Sequence, residues 1–471
     1  MSVTNRTRTW WALSSTRARF TAVGAATIVL ALLATSVFVW NSPGNPVNQA
    51  IAAASSEPTE MDKIVAERNS LLSQVVALQK QLTNSKGNLS TSKAQLASLQ
   101  QQLWSVQGQL QAANASKPPT TAKAPTAKAP TAAKNPTTTT ASVISAPTKA
   151  QIISPSSPYF GLYTQQAPFN FAGYNATAAA IGSTPNTVGY FGGWDQNYRG
   201  DVVQAAWKRN TLPVLTWESR PIDAPNSDTS EPDYSLPKII DGSFDAYLHQ
   251  YAKSIVATGL PLGIRLDHEM NGIWYPWSED DGKGNSINGN SPGDYVKMWQ
   301  HVYNIFQEEG ANNLVVWIWA PNIVNNLPAS HKTQAYLNSL YPGDQYVDVV
   351  GLSGYLRPPY KPDNNFTFDY TFGPSLAALR GLTKKPILLA EIGASDVGGM
   401  KPQWITSLFT ALTKPENNDI IGFIWFDQAV TSYTEGVLAT NDWRIEARPE
   451  DLAAFQAGLK MPGSRFVLAP D

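Results

Sequence analysis

Leu260-Pro-Leu-Gly-Ile-Arg265-Leu266-Asp-His268-Glu269-Met-Asn271-Gly-Ile-Trp274-Tyr275-Pro-Trp277 passes from an apolar, strand-like run into a polar loop that carries a glutamate. Pro386-Ile-Leu-Leu-Ala390-Glu391-Ile-Gly393 does the same further along. Six other strand-like runs flank these two: Tyr159–Tyr163, Val188–Phe191, Leu212–Thr216, Leu314–Trp319, Val347–Leu352 and Ile420–Trp425. Amphipathic, helix-like stretches lie between most of them, among them Phe244–Ala257, Tyr295–Gln307, Ser375–Leu382 and Trp404–Leu412. Strand alternating with helix about eight times reads as an α/β chain whose globular part is a (β/α)8 TIM barrel. The alternative is a doubly wound open sheet, but no Gly-rich phosphate loop opens any of the helices.

The barrel is expected over residues 152–468, and three other segments precede it. Residues 1–41 hold Arg6, Arg8, Arg17 and Arg19 and then the charge-free run Phe20–Trp40. A run of about twenty apolar residues spans a bilayer with its basic flank on the cytoplasmic side. This predicts a transmembrane signal anchor that displays the rest of the chain on the extracellular face. The rival is a secreted protein cut from its signal peptide near Ala50-Ile-Ala52. Over 57–114 a leucine seam recurs every seven residues at Val75, Leu82, Leu89, Leu96, Leu103 and Leu110, which predicts a coiled coil and a homo-oligomer. Ser85, Gly87 and Ser92 weaken its middle. Residues 115–151 are Pro/Thr/Ala-rich and predict an extended linker.

Composition narrows the chemistry. A net charge of −1 offers no bulk field for nucleic acid, and the absence of cysteine excludes disulfides and thiolate chemistry. The four histidines, His249, His268, His301 and His331, are scattered, and Gly272 stands where a His-Glu-x-x-His zinc helix needs its second histidine. No metal and no cofactor is expected. No Gly-x-Ser-x-Gly elbow is present either, so a serine hydrolase has little support.

Active-site groups of such barrels sit at the C-terminal strand ends. Glu269 follows the fourth strand and Glu391 the seventh, so the two face each other across the barrel mouth. One carboxyl that holds a proton beside one that is ionised suits a retaining glycoside hydrolase, which needs about 5–5.5 Å between them. Other strand ends add Asp195, Trp217 with Glu218, Trp319 with Asn322, Tyr355, and Trp425 with Asp427. Any one of these is as readily structural; their joint placement is harder to explain as packing. Aromatic rings suit sugar faces but also fill cores.

The run Arg265…His268-Glu269-x-Asn271-Gly…Trp274-Tyr-Pro-Trp277, with Glu391 on the seventh strand, resembles glycoside hydrolase family 26. The resemblance covers Pro158 to Leu459. It implies Glu269 as general acid/base, Glu391 as nucleophile, and His268 as a contact to the sugar or to Glu269. It further implies Tyr355 as a hydrogen-bond donor to the nucleophile, with Trp274 and Trp425 as walls around the sugar. Arg265 is expected to support the carboxylates from below. Asn271, Trp277, Trp319, Asn322, Trp217, Glu218 and Asp195 are candidate subsite or supporting residues. The implied substrate is β-1,4-mannan, cleaved internally. β-1,3-1,4-glucan, β-1,3-xylan, or a surface glycan-binding protein without catalysis are the alternatives.

Overall fold

The computed structural model describes residues 144–225, 228–434 and 437–466. The expected anchor over 1–41, the coiled coil over 57–114 and most of the linker lie outside the described residues. Among those residues, no helix is long and apolar enough to cross a membrane.

Eight parallel strands close into a barrel in chain order. They are β1 Tyr159–Tyr163, β2 Thr187–Gly193, β3 Leu212–Glu218, β4 Leu262–Leu266, β5 Val315–Trp319, β6 Val349–Leu356, β7 Ile387–Ala394 and β8 Ile420–Phe426. β8 pairs back onto β1 and closes the ring. A short helix α1, Lys149–Ile153, precedes β1. Between and after the strands run α2 Ala172–Ile181, α3 Gly200–Trp207, α4 Leu236–Ile240, α5 Asp245–Thr258, α6 Asp294–Glu308, α7 Gln334–Ser339, α8 Phe368–Leu382, α9 Lys401–Leu412 and α10 Pro449–Leu459.

Strands covered by helices outside and by side chains inside are buried on both faces, and β3, β4, β5 and β7 are buried throughout. Alternate residues face opposite ways. Outward, Trp217 stacks on Tyr251 of α5 at 4.4 Å and meets Phe306 of α6. Trp425 meets Trp404 of α9 and Phe455 of α10. Inward, toward the C-terminal mouth, point Tyr163, Thr216, Arg265, Ser353 and Glu391, joined by contacts described below.

Two strands run four residues past their expected ends. β6 runs on to Leu356 and so contains Tyr355, and β7 runs on to Ala394 and so contains Glu391. Register shifts between Gly351 and Ser353, and between Leu389 and Ile392, accompany the extension. Such bulges re-aim side chains beside functional sites. An antiparallel hairpin, β9 Ala429–Thr434 and β10 Val437–Asp442, follows β8 and brings Trp443 to the mouth.

Candidate active site

The floor of the mouth is organised by one cation. Arg265 is fully buried, and its Nη1 donates to Glu391 Oε2 at 2.5 Å and to Thr216 Oγ1 at 3.2 Å. Its Nη2 donates to Ser353 Oγ and lies 4.0 Å from Glu269 Oε1. The hydroxyls of Tyr163 and Thr216 are 3.0 Å apart on the same layer. Tyr355 donates its hydroxyl to Glu391 Oε1 at 2.5 Å. Both Glu391 oxygens are therefore held by donors, an arrangement that fixes the direction of the side chain.

Glu269 is held differently. It sits in a loop where Asp267 (φ 38°) and Glu269 (φ 56°) both adopt left-handed backbone. Each such non-glycine residue costs roughly 1–3 kcal/mol and persists only where its surroundings enforce it. Here the Asp267 carboxylate accepts from the Ser219 N–H and hydroxyl, each at 2.7 Å, and the Glu269 N–H donates to Ala320 O at 2.7 Å. Burial pushes the Asp267 carboxyl up to about 7. The Glu269 carboxyl is also raised, first by burial and then by the charge of Glu391; Arg265 and hydrogen bonds from the Trp274 and Asn322 side chains pull the other way. Trp274 Nε1 donates to Glu269 Oε2 at 2.8 Å, and its ring lies over Gly272, where a Cβ would come within 2.6 Å of it.

One wall is built from the segment after Glu269. His268 Nε2 is 3.0 Å from the Tyr275 hydroxyl, and Trp277 Nε1 donates to His268 O at 2.7 Å. Tyr275 and Trp277 stack at 4.5 Å, with the Arg220 guanidinium over both rings. Arg220 pairs in turn with buried Glu218 at 2.9 Å. His268 is held neutral by burial and by the nearby charges of Arg265 and Arg220. Asn271 clamps the next loop: its Nδ2 donates to Asn322 O at 2.9 Å, and its Oδ1 accepts from the Asn322 N–H at 2.8 Å.

The structure thus brings Glu269, Glu391, Arg265, Tyr355, Trp274, His268, Asn271, Asn322, Trp277 and Glu218 together. Five expectations need correction. Trp217, Trp319 and Trp425 are fully buried on the outer side of their strands, against helices and loops, and contribute no wall to the mouth. Asp195 accepts from the Ile222 N–H at 2.8 Å and ties a loop rather than facing the glutamates. Asp427 is likewise buried, accepting from Thr177 and Ile445. Sequence reasoning missed Trp443, which packs on Tyr355 at 5.0 Å and on Phe426 at 5.5 Å. It also missed Ser353 and Thr216, the partners of Arg265. A polar residue one strand repeat before Tyr355 and before Glu218 was the available signal. Among the described residues no cluster of His, Asp or Glu is placed to hold a metal ion.

The sequence model of glycosyl hydrolase family 26 matches residues 197–395, a span from the loop after β2 to the end of β7 that contains both glutamates. Over these residues the chain is similar to that family. Among similar proteins, endoglucanase H of Acetivibrio thermocellus is 30% identical over 259 residues, 55% of this chain and 25% of that protein. Mannan endo-1,4-beta-mannosidase of Bacillus subtilis strain 168 is 23% identical over 309 residues, 59% of this chain and 76% of that protein. The chain thus spans only a quarter of the first relative's length. The solved catalytic domain of the Bacillus sp. JAMB-750 GH26 endo-beta-1,4-mannanase is 19% identical, covering 66% of this chain and 88% of that one, with a TM-score of 0.48.

Proposed function

We propose that this family 26 barrel is a retaining β-glycosidase that cuts a β-1,4-mannan-type polysaccharide internally, with Glu391 as nucleophile and Glu269 as general acid/base. The observation that carries this reading is the unequal treatment of the two carboxyls. Arg265 and Tyr355 hold Glu391 as an aimed anion at 2.5 Å each. Glu269, farther from the cation, is pushed toward its protonated form by burial and by Glu391. Glu391 attacks the anomeric carbon while Glu269 gives its proton to the departing oxygen. Glu269 then takes a proton from water, which cleaves the ester and returns the sugar with retained configuration.

The mannan reading is supported by the mannosidase relatives. A β-1,4- or mixed-linkage glucan is the second reading, favoured by the endoglucanase relative at 30% identity. Screening the protein on mannan, glucomannan, lichenan and β-1,3-xylan separates them. Roles are tested by Glu269→Ala and Glu391→Ala. With an activated aryl glycoside, Glu269→Ala gives a burst and then a slow rate that azide restores with a β-glycosyl azide product. Glu391→Ala loses turnover on every substrate, and azide yields only the α-product. Mutants that respond alike refute the assignment. The charge-free run Phe20–Trp40 supports display of the barrel outside the membrane, read by external protease on intact cells.

A further inference from the structure

His331 lies outside the constellation described above, on the one-turn helix Ala329–Lys332 that follows β5, and is only 2% exposed. Its Nδ1 is 2.9 Å from the Asn271 carbonyl oxygen and its Nε2 is 3.0 Å from Asp280 Oδ1. The ring stacks on Tyr336 of α7 at 4.0 Å with a 10° interplanar angle, which fixes its plane. A backbone carbonyl only accepts, and an ionised carboxylate only accepts. Nδ1 therefore donates to the Asn271 carbonyl, and Nε2 faces the Asp280 carboxylate.

We propose that His331, held between the Asn271 carbonyl and the Asp280 carboxylate, is a positioning residue for Glu269. The link is short. His331 grips the backbone of Asn271; the Asn271 amide grips both backbone groups of Asn322; and the Asn322 side chain bonds the Glu269 carboxyl. One ring thus ties the loops after β4 and β5 across the acid/base glutamate, with Ser330 Oγ adding a bond to Gly282 O at 3.0 Å. The charged and titratable groups around the ring are Asp280 and Glu279 from the loop after β4, Tyr336 from α7, and Lys332 on its own turn. Lys332 reaches away to Asn325 O, and Glu279 is engaged by the N–H groups of Gly293 and Tyr295. Asp280 is therefore the carboxylate that faces the ring.

The inference rests on the hydrolase reading, and its test separates the two. In the full chain labelled at histidine nitrogen, one of four ring signals, absent from His331→Ala, shows a proton on Nδ1 held in a hydrogen bond. A ring that carries its proton on Nε2 alone overturns the clamp whatever the activity. On polymer, His331→Ala lowers kcat by about tenfold to a hundredfold with KM within about twofold, because a proton donor displaced by a fraction of an ångström transfers poorly. The burst from an activated aryl glycoside, which needs little acid, stays at the wild-type rate. His331→Gln, which keeps one donor, recovers part of the loss, and Asn271→Ala adds little on top of His331→Ala. Equal losses on polymer and aryl glycoside, or additive losses in the double mutant, overturn the positioning role while leaving the hydrolase reading intact. A wild-type chain inactive on every β-glycan overturns both.

Discussion

Replacing Tyr355 by Phe removes one hydroxyl from the mouth and leaves its ring in place. That hydroxyl donates to Glu391 Oε1 at 2.5 Å, while Arg265 keeps the other oxygen. A hydrogen bond to a charged group is worth about 1.5–3 kcal/mol, or roughly a tenfold to hundredfold change in rate. The lower half of that range applies here. The Glu391 side chain is 9% exposed, so water can replace one donor, and the Arg265 ion pair still aims the carboxylate. Tyr355→Phe is therefore expected to lower kcat on polymer by about tenfold to thirtyfold. KM should hardly move, because no sugar contact is removed. The ring keeps its packing on Trp443 and Phe426, so Tm should fall by no more than about 3 °C. Burial and the Glu391 charge push the Tyr355 hydroxyl far above its usual range, so it donates at every working pH. The ratio of wild-type to mutant rates should therefore be flat on the alkaline limb of the pH profile. Reducing-sugar kinetics over pH, with Tm from circular dichroism, read all three quantities. A rate loss under about threefold, or a ratio that changes on the alkaline limb, refutes the claim that this hydroxyl aims Glu391 by donating to it.

Gly272→Ala places a methyl within 2.6 Å of the Trp274 ring, so the indole must leave Glu269; activity on polymer should drop about tenfold while the fold survives, seen as lost rate with an unchanged far-ultraviolet spectrum. Trp217→Ala and Trp443→Ala should fail in different ways. The first empties a core site and costs roughly 3–5 kcal/mol in a urea melt, whereas the second leaves the melt closer to wild type and lowers kcat. Asp427 is pushed up to about 7 by burial and then by Glu446, so its neutral form favours the fold: that contribution is fully present below the carboxylate's unfolded value near 4 and is lost as pH rises through about 7. Asp427→Asn, which cannot ionise but keeps the bonds to Thr177 and Ile445, should gain stability relative to wild type between about pH 5 and pH 8; urea midpoints that shift in parallel would count against it.

The barrel was legible because its strands are buried on both faces, so each reads as a nearly continuous apolar run. The same continuity hid which side each residue faces. Trp217, Trp319 and Trp425 stand beside polar strand-end residues, yet parity along the strand sends them outward to the helices while Glu218 and Phe426 turn inward. Tyr355 and Glu391 were found as strand-end residues although both lie inside longer strands. Their aim depends on register shifts in β6 and β7 that no local pattern marks. Gly354 belongs to that geometry, since a Cβ there would strike Phe372 at 2.5 Å and Ile323 at 2.7 Å. Trp443 was missed because it lies beyond the eighth strand, outside every strand end that the alternation of strand and helix marks.

The position of Arg265 also bears on how one glutamate can serve first as acid and then as base. The guanidinium touches Glu391 at 2.5 Å and stands 4.0 Å from Glu269, so before reaction its charge is largely committed to the nucleophile. Glu269 then feels burial and the Glu391 charge, both of which favour its protonated form. On the proposed mechanism, forming the glycosyl ester removes the Glu391 charge and frees Arg265 from its ion pair. The repulsion that favoured the proton is gone, and the cation now faces Glu269 alone. Both changes lower the Glu269 carboxyl toward the ionised state just after it has given its proton away. The residue is thus made a base by the chemistry of its partner, with no movement of the loop that holds it. A site with the cation shared equally between the carboxyls would lose half of that effect, which is a physical reason for the asymmetry of the two contacts.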